Sequence, residues 1–195
     1  MTSTKDLLYY IPAGQYGKEG VLALLEQHPE IKFVSLVGID LAGNDTDEKI
    51  PMSAFFDDYE AFFEGRAVQT DGSSVVLTNI ATLNNARVDM WGDPSVNWFV
   101  DYNYENIDEA TGLPTGTLRI PAFLMHNYRY VDSRSILKNS CDYVRAELLS
   151  LIKEHGLPGM PHVKADDVVD IIFTSATELE FWVKTPSRTV TKKEL

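Results

Sequence analysis

The feature that most constrains the fold is a pair of apolar segments separated by a turn. Residues 31–41, IKFVSLVGIDL, are β-branched and apolar, which is typical of a strand. Residues 42–45, AGND, have turn chemistry, and residues 48–52, EKIPM, read as a second strand. The pattern therefore predicts a β-hairpin over this stretch.

A short helix is predicted directly after the hairpin. Ser53 is placed to cap the segment AFFDDYEAFFEG, and Gly65 supplies the stop. Phe55, Tyr59 and Phe62 fall on one helical stripe, which predicts that this face packs into the core.

The clearest helix covers residues 133–155, with Asp132 placed to cap it and Gly156 placed to end it. Cys141 lies on the apolar line of this helix, so we expect a buried small side chain there and not a nucleophile.

Pro121 suggests an edge or a break in its strand. The order of elements predicts an α+β fold with a mixed sheet. The other predicted elements are a helix over 17–28, strands over 81–91, 95–104 and 117–125, one long strand or a pair of strands over 168–185, a loop over 66–79 and a polar connection over 105–116.

Composition restricts the class of protein. The chain has 195 residues, enough for one large domain or two small ones, and a composition shift near residues 126–133 indicates a boundary. The net charge of −12 argues against nucleic acid and anionic membranes as partners. No apolar run reaches the roughly 20 residues that span a membrane, and the N-terminus lacks the pattern of a signal peptide. Cys141 is the only cysteine, which excludes an internal disulfide and a cysteine-cluster metal site. We expect a cytoplasmic protein.

Two carboxylates, Glu178 and Glu180, alternate in the segment TSATELEFWV. Alternate residues of a strand face the same way, about 6–7 Å apart. Such a pair is repulsive unless a cation lies beside it, and carboxylate oxygens are the ligands that Mg²⁺ and Mn²⁺ prefer. The pair therefore predicts either a metal site or a solvated strand face.

A second candidate site is the turn TDGSSV, residues 70–75. The turn-forming string Asp71-Gly72-Ser73-Ser74 suits a glycine with positive φ and an aspartate that accepts backbone hydrogen bonds. An exposed aspartate on a loop can bind a cation or accept a proton. The alternative is an ordinary surface turn.

Taken in order, four stretches resemble the N-terminal third of bacterial class I glutamine synthetases. VGIDLAGNDTDEKIPMSAF resembles the family's strand, turn and helix start, and TDGSSV resembles its Asp-Gly-Ser-Ser loop. VDSRSILKNSCDYV resembles the opening of its first catalytic helix, with Arg134 kept, and ATELEFWV resembles its Glu-x-Glu metal strand.

The resemblance implies a β-grasp domain over residues 1–125 and the start of a truncated catalytic domain over residues 126–195. It implies a glutamate–ammonia ligase of nitrogen assimilation, in which ATP phosphorylates the glutamate side chain and ammonia displaces the phosphate to give glutamine. Glu180 matches the ligand of the glutamate-side metal and Glu178 that of the ATP-side metal, with Mg²⁺ or Mn²⁺ bound. Asp71, in the loop with Gly72, Ser73 and Ser74, matches the aspartate that binds ammonium. In the family this loop reaches the active site of a neighbouring subunit of a homo-oligomer.

The sequence also departs from the family. Thr70 stands where the family has an aromatic residue, and Arg87 stands where a second acidic residue is expected, unless a register slip brings Asp89 there. Since two glutamates do not complete a two-metal site, we expect this polypeptide to be an inactive fragment by itself. The alternatives are a non-catalytic β-grasp interaction module, or a ligase that joins glutamate to another amine.

Overall fold

The computed structural model describes residues 7–84, 86–178 and 180–181. Over these residues the chain forms an α+β fold with three α-helices and one eight-stranded sheet. The helices are α1 (Lys18–Glu26), α2 (Met52–Asp57) and α3 (Ser133–His155). The strands are β1 (Tyr10–Ile11), β2 (Ile31–Ile39), β3 (Asp45–Pro51), β4 (Val68–Asp71), β5 (Arg87–Gly92), β6 (Trp98–Ile107), β7 (Pro114–His126) and β8 (Arg129–Tyr130).

Contacts divide the chain into two compact units, of which the first ends at Ser140 and the second begins at Cys141. This division lies within α3, whereas the sequence placed a boundary at 125/126. The first unit contains the whole sheet. No helix in the described ranges is both long enough and apolar enough to cross a membrane.

The predicted hairpin is confirmed. β2 and β3 pair antiparallel, with Val34 opposite Ile50 and Ile39 opposite Asp45. Gly43 has φ +84°, a left-handed conformation that suits glycine in a tight turn.

β7 is the central strand and makes the sheet a mixed one. Its first half lies between β2, to which it is parallel, and β6, to which it is antiparallel. Its second half pairs antiparallel with β5 and β8. The change of partner occurs at Pro121, which is opposite Val37 of β2, while Ala122 is opposite Gly92 of β5. Proline therefore marks a switch of partner inside one continuous central strand, and the predicted edge or break was wrong.

The predicted aromatic stripe lies in the core. Phe55 and Phe62 are buried, and their ring centroids lie 5.0 Å apart. The helix that carries them is shorter than predicted, because α2 ends at Asp57 and a separate 3₁₀ turn covers Glu60–Phe62. At the break, Oδ1 of Asp58 accepts a hydrogen bond from the amide of Ala61, which competes with the regular helical hydrogen-bond pattern. The cap predicted at Ser53 is also wrong, because α2 begins before it.

Other predicted boundaries moved. The predicted loop 66–79 contains β4, and the strand predicted from residue 81 begins only at Arg87. The polar connection predicted over 105–116 shortens to 108–113, because β6 and β7 extend into it.

α3 has the predicted bounds, Ser133–His155, and Gly156 after it has φ +72°. The apolar residues that recur along one face of α3 were expected to pack against other residues. Four of them are exposed instead: Leu137, Val144, Leu148 and Leu151. Cys141 is half-buried, so its prediction as a buried residue was wrong. In the second unit, Nε of Arg145 lies 2.5 Å from Oδ1 of Asp170.

Candidate functional site

Asp71 lies at the end of β4 with its carboxylate in solvent. Oδ1 accepts a hydrogen bond from the amide of Ser73 at 2.7 Å and so caps the 3₁₀ turn Gly72–Ser74. The bonds from Ser73, backbone first, lower the pKa of Asp71. The structure thus presents an ionised, exposed carboxylate in a fixed orientation.

Gly72 fixes this turn against the following segment. Its amide donates a hydrogen bond to the carbonyl of Ala86 at 2.7 Å. A Cβ at Gly72 would lie 2.1 Å from the carbonyl oxygen of Leu83, so no larger residue fits without moving the backbone. Gly72 is not among the glycines with positive φ, which corrects the sequence argument. Close approach of two backbone segments, and not an unusual φ, is the reason for glycine here.

Ser73 and Ser74 are exposed, as a surface loop requires. A cavity of about 300 Å³ opens beside Ser73. Its lining is mixed: it combines the hydroxyl and amide side chains of Ser73, Thr78, Asn79, Thr82 and Asn84 with the apolar side chains of Val75, Val76, Leu77, Ala81 and Leu83. Of the predicted loop residues, Gly72 and Ser73 line this cavity, whereas Asp71 and Ser74 do not.

A buried carboxylate that the sequence argument missed holds the segment after this turn. Asp40, only 1% exposed, accepts hydrogen bonds from the amides of Ala42, Asn44 and Val76 and from the side chain of Asn44. Burial by itself raises the pKa of Asp40, but these hydrogen bonds outweigh it and lower the pKa. Asp40 thus ties the β2–β3 turn to the chain that follows Ser74. The sequence pattern placed Asp40 near the end of the predicted strand 31–41 and did not indicate its bond to Val76.

Arg87 and Asp89 lie next to this site on β5. Asp71 is directly opposite Arg87, and Gln69 is directly opposite Asp89. Nε of Arg87 lies 3.0 Å from Oδ1 of Asp89, and its Nη2 donates a hydrogen bond to Oδ2 at 3.3 Å. In this register Arg87, and not Asp89, faces Asp71.

Glu178 and Glu180 belong to the second unit and are exposed. The strand predicted over 168–185 is wrong for the residues described, because 168–178 and 180–181 contain no strand. A β-strand needs a neighbour for its backbone hydrogen bonds, and the exposed Val169 and Ile172 show that this segment is not packed into a sheet. The inference that the two glutamate side chains project side by side assumed a strand, so it is no longer supported.

The described residues include no group of three or more His, Cys, Asp or Glu that could hold a metal ion. Glu178 and Glu180 offer carboxylate oxygens, which suit Mg²⁺ or Mn²⁺, but two carboxylates leave an octahedral ion incompletely held. Glu178 and Glu180 could therefore hold a metal ion only together with further ligands. Residues 179 and 182–195 lie outside the described part.

The start of α3 is built as its sequence predicts. Asp132, buried, accepts hydrogen bonds from the amide and the hydroxyl of Ser135. Arg134 lies 2.9 Å from Oδ2 of Asp93 and packs over the ring of Phe123. The sequence argument missed Asp93, a buried carboxylate whose pKa burial raises but the bonds from Ser95 and Arg134 lower.

No protein-family model and no curated protein matches the chain. Among solved structures, the chain titled "GmaS/ADP complex-Conformation 1" aligns with a TM-score of 0.33 and 15% identity. The alignment covers 56% of this chain and 21% of that chain. A likeness of this size carries no argument about function.

Proposed function

We propose that this chain is part of an ATP-dependent ligase that joins glutamate to an amine, in the manner of a glutamine synthetase. The observation that carries the proposal is Asp71, an exposed carboxylate that the amide of Ser73 holds in a fixed orientation at a strand end and whose pKa is lowered. Its loop stands in the order of motifs that resembles the family. Ammonium is the amine that the resemblance implies, and glutamine is then the product.

Asp71 supports this reaction by simple chemistry. ATP transfers its terminal phosphoryl group to the glutamate side chain, which gives an acyl phosphate and ADP. The amine nitrogen then attacks the acyl carbon, the new C–N bond forms, and the C–O bond to phosphate breaks. A carboxylate binds the ammonium ion by charge and accepts a proton as the free amine forms. A low pKa keeps Asp71 ionised for binding, while a base of low pKa accepts the proton only transiently.

Glu178 and Glu180 are proposed as ligands of Mg²⁺ or Mn²⁺, which would neutralise phosphate charge during phosphoryl transfer. The described residues supply only a part of such a site. We therefore propose that the chain is inactive alone and works within a larger cytoplasmic homo-oligomeric enzyme, which supplies the remaining ligands. The β-grasp identity of residues 1–125 and the catalytic start at 126–195 remain predictions of the same hypothesis.

A second candidate is a ligase that joins glutamate to an amine other than ammonium. The observation that favours it is the guanidinium of Arg87 opposite Asp71, because a fixed positive charge opposes the binding of a bare cation.

The proposal is tested with the ligase that carries this sequence. Glutamate-dependent release of ADP from ATP is measured with and without ammonium, and again after Asp71→Asn. Asparagine keeps an oxygen for the Ser73 amide but removes the charge. We expect the amine-dependent rate to fall by a factor of about 10² or more, the usual range for a general base. An enzyme that shows no glutamate-dependent use of ATP would overturn the proposal.

A further inference from the structure

Asp71 and Arg87 present opposite charges on one face of the β4–β5 hairpin. They are a directly opposite pair in the antiparallel register. Side chains of such a pair project to the same face, with Cβ atoms about 4.5–5.5 Å apart. The next residues inward, Thr70 and Val88, are buried on the other face, which agrees with both charged side chains pointing outward.

Each of the two side chains is held by a different partner. The Asp71 carboxylate accepts a hydrogen bond from the amide of Ser73, just after the end of β4. The Arg87 guanidinium forms an ion pair with Asp89, two residues further along β5. The ion pairs between described residues include Arg87–Asp89 but not Arg87–Asp71. The two charged side chains therefore lie on one face of the hairpin without an ion pair between them.

Donor capacity remains on the arginine. A guanidinium has five N–H donors, and Asp89 accepts a hydrogen bond only from Nη2, since its Oδ1 lies 3.0 Å from Nε without being hydrogen-bonded. The Arg87 side chain is 67% exposed, so its remaining N–H groups are open to a ligand. The contact with Asp89 holds the Arg87 guanidinium in position, which lowers the entropy lost when an anion binds to the guanidinium.

We propose that Asp71 and Arg87 together bind an amine that also carries a carboxylate, so that the amine substrate is a small amino acid. This inference rests on the proposed function, which makes Asp71 the amine-binding residue. The ammonium group of the ligand lies on Asp71 and its carboxylate on Arg87. Bare ammonium and methylamine gain only the first contact, and an aliphatic diamine places its second cation against Arg87.

The inference is tested on the full chain by NMR titration with four probes: glycine, β-alanine, methylamine and 1,3-diaminopropane. The amide of Ser73 reports on Asp71, and the Nε–H of Arg87 reports on the second contact. We expect one of the two amino acids to shift both signals and to bind about tenfold more tightly than methylamine, the size expected for an added charge-assisted hydrogen bond pair. Methylamine is expected to shift Ser73 alone.

Variants of Arg87 make the test specific. Arg87→Gln, which keeps the aliphatic stem, is expected to remove the preference for the amino acid over methylamine. Arg87→Glu is expected to move the preference to the diamine. Arg66→Glu serves as the matched control, because Arg66 is an exposed arginine paired with Glu64 and Asp58 on another part of the surface, and it is expected to leave the ranking unchanged.

Two negative results have different meanings. If methylamine shifts Ser73 but neither amino acid binds more tightly, or if Arg87→Gln leaves a preference intact, this inference is wrong and the proposed function stands. If no amine shifts Ser73, Asp71 is not an amine site, and both the inference and the proposed function's assignment of Asp71 are overturned.

Discussion

The buried carboxylate of Asp40 accepts a hydrogen bond from the amide of Val76, 36 residues away in the sequence, at 2.9 Å. A return bond from the amide of Leu41 to the carbonyl of Val76, at 3.2 Å, closes the connection. Because Val76 follows directly after the Gly72–Ser74 turn and Val75, this pair joins the β2–β3 turn to the loop that carries Asp71. The candidate site is thus anchored to the core of the first unit.

Replacing Asp40 with alanine should destabilise this connection. Several amide donors would lose their acceptor inside the protein, which is expected to lower the free energy of unfolding by about 2–4 kcal/mol. Urea unfolding measures the loss, and faster hydrogen exchange at the Val76 amide would locate it. Asp45→Ala, at an exposed position on β3, is the control and should change stability by less than about 0.5 kcal/mol. Equal effects of the two substitutions would contradict the anchoring role.

Gly72→Ala tests the close approach behind the Asp71 turn. The added Cβ would lie 2.1 Å from the carbonyl oxygen of Leu83, so the backbone must move and the Gly72–Ala86 hydrogen bond should weaken. We expect a loss of roughly 1–3 kcal/mol in the free energy of unfolding, as for other overpacked sites. Gly159→Ala is the matched control, since no described atom lies within 4 Å of its Cβ position. A Gly72→Ala protein as stable as the control would show that the turn has room for a side chain.

The ion pair between the buried Asp93 and the partly exposed Arg134 predicts a dependence of stability on acid pH. The pKa of Asp93 lies below its ordinary value of 3.8, because Ser95 and Arg134 outweigh the effect of burial. A carboxyl with a lowered pKa in the folded state contributes stability that is present above pH 3.8 and is lost as the pH falls through the folded-state pKa.

The measurement is the free energy of unfolding as a function of pH from 6 down to 2, for the native chain and for Asp93→Asn. The variant is expected to be less stable at pH 6 and to lose less stability below pH 3.8, because it has no proton to bind at this position. Parallel curves for the two proteins would mean that Asp93 does not titrate as described.

The next prediction is that Glu178 and Glu180 are metal ligands. In the ligase that contains this sequence, Glu178→Gln or Glu180→Gln should lower the Mg²⁺- or Mn²⁺-dependent rate by about 10² or more, as expected for loss of a ligand of a catalytic metal. Glu154→Gln, at an exposed position on α3, should leave the rate unchanged. Full activity of both variants would remove the two glutamates from the proposed metal site.

The sequence predicted best those elements whose signals are local. α3 has its predicted bounds because an apolar period, the Asp132 cap and Gly156 all lie within or beside it. The β2–β3 hairpin was equally clear from two apolar runs and a turn between them. By contrast, Asp58 interrupts the aromatic helix through one side-chain hydrogen bond to Ala61, which helical periodicity does not reveal.

The parts that failed depend on distant contacts. A strand over 168–185 requires a neighbouring strand, and alternation of Glu178 and Glu180 says nothing about whether one is present. Asp71 and its turn could be identified from the sequence. The position of Arg87 opposite Asp71 could not, because it depends on how β5 aligns with β4 across the intervening loop. The role of Asp40 likewise depends on Val76 returning to it in space.

The central claim is that Asp71 binds and deprotonates the amine in a glutamate ligase. Its most direct test is the value of kcat/KM for the amine in the ligase carrying this sequence, measured for Asp71→Asn and for the control Asp57→Asn, an exposed position at the end of α2. We expect a fall of about 10²-fold or more for Asp71→Asn, with the KM for ATP unchanged, and no change for Asp57→Asn. A value for Asp71→Asn equal to that of the control would contradict it.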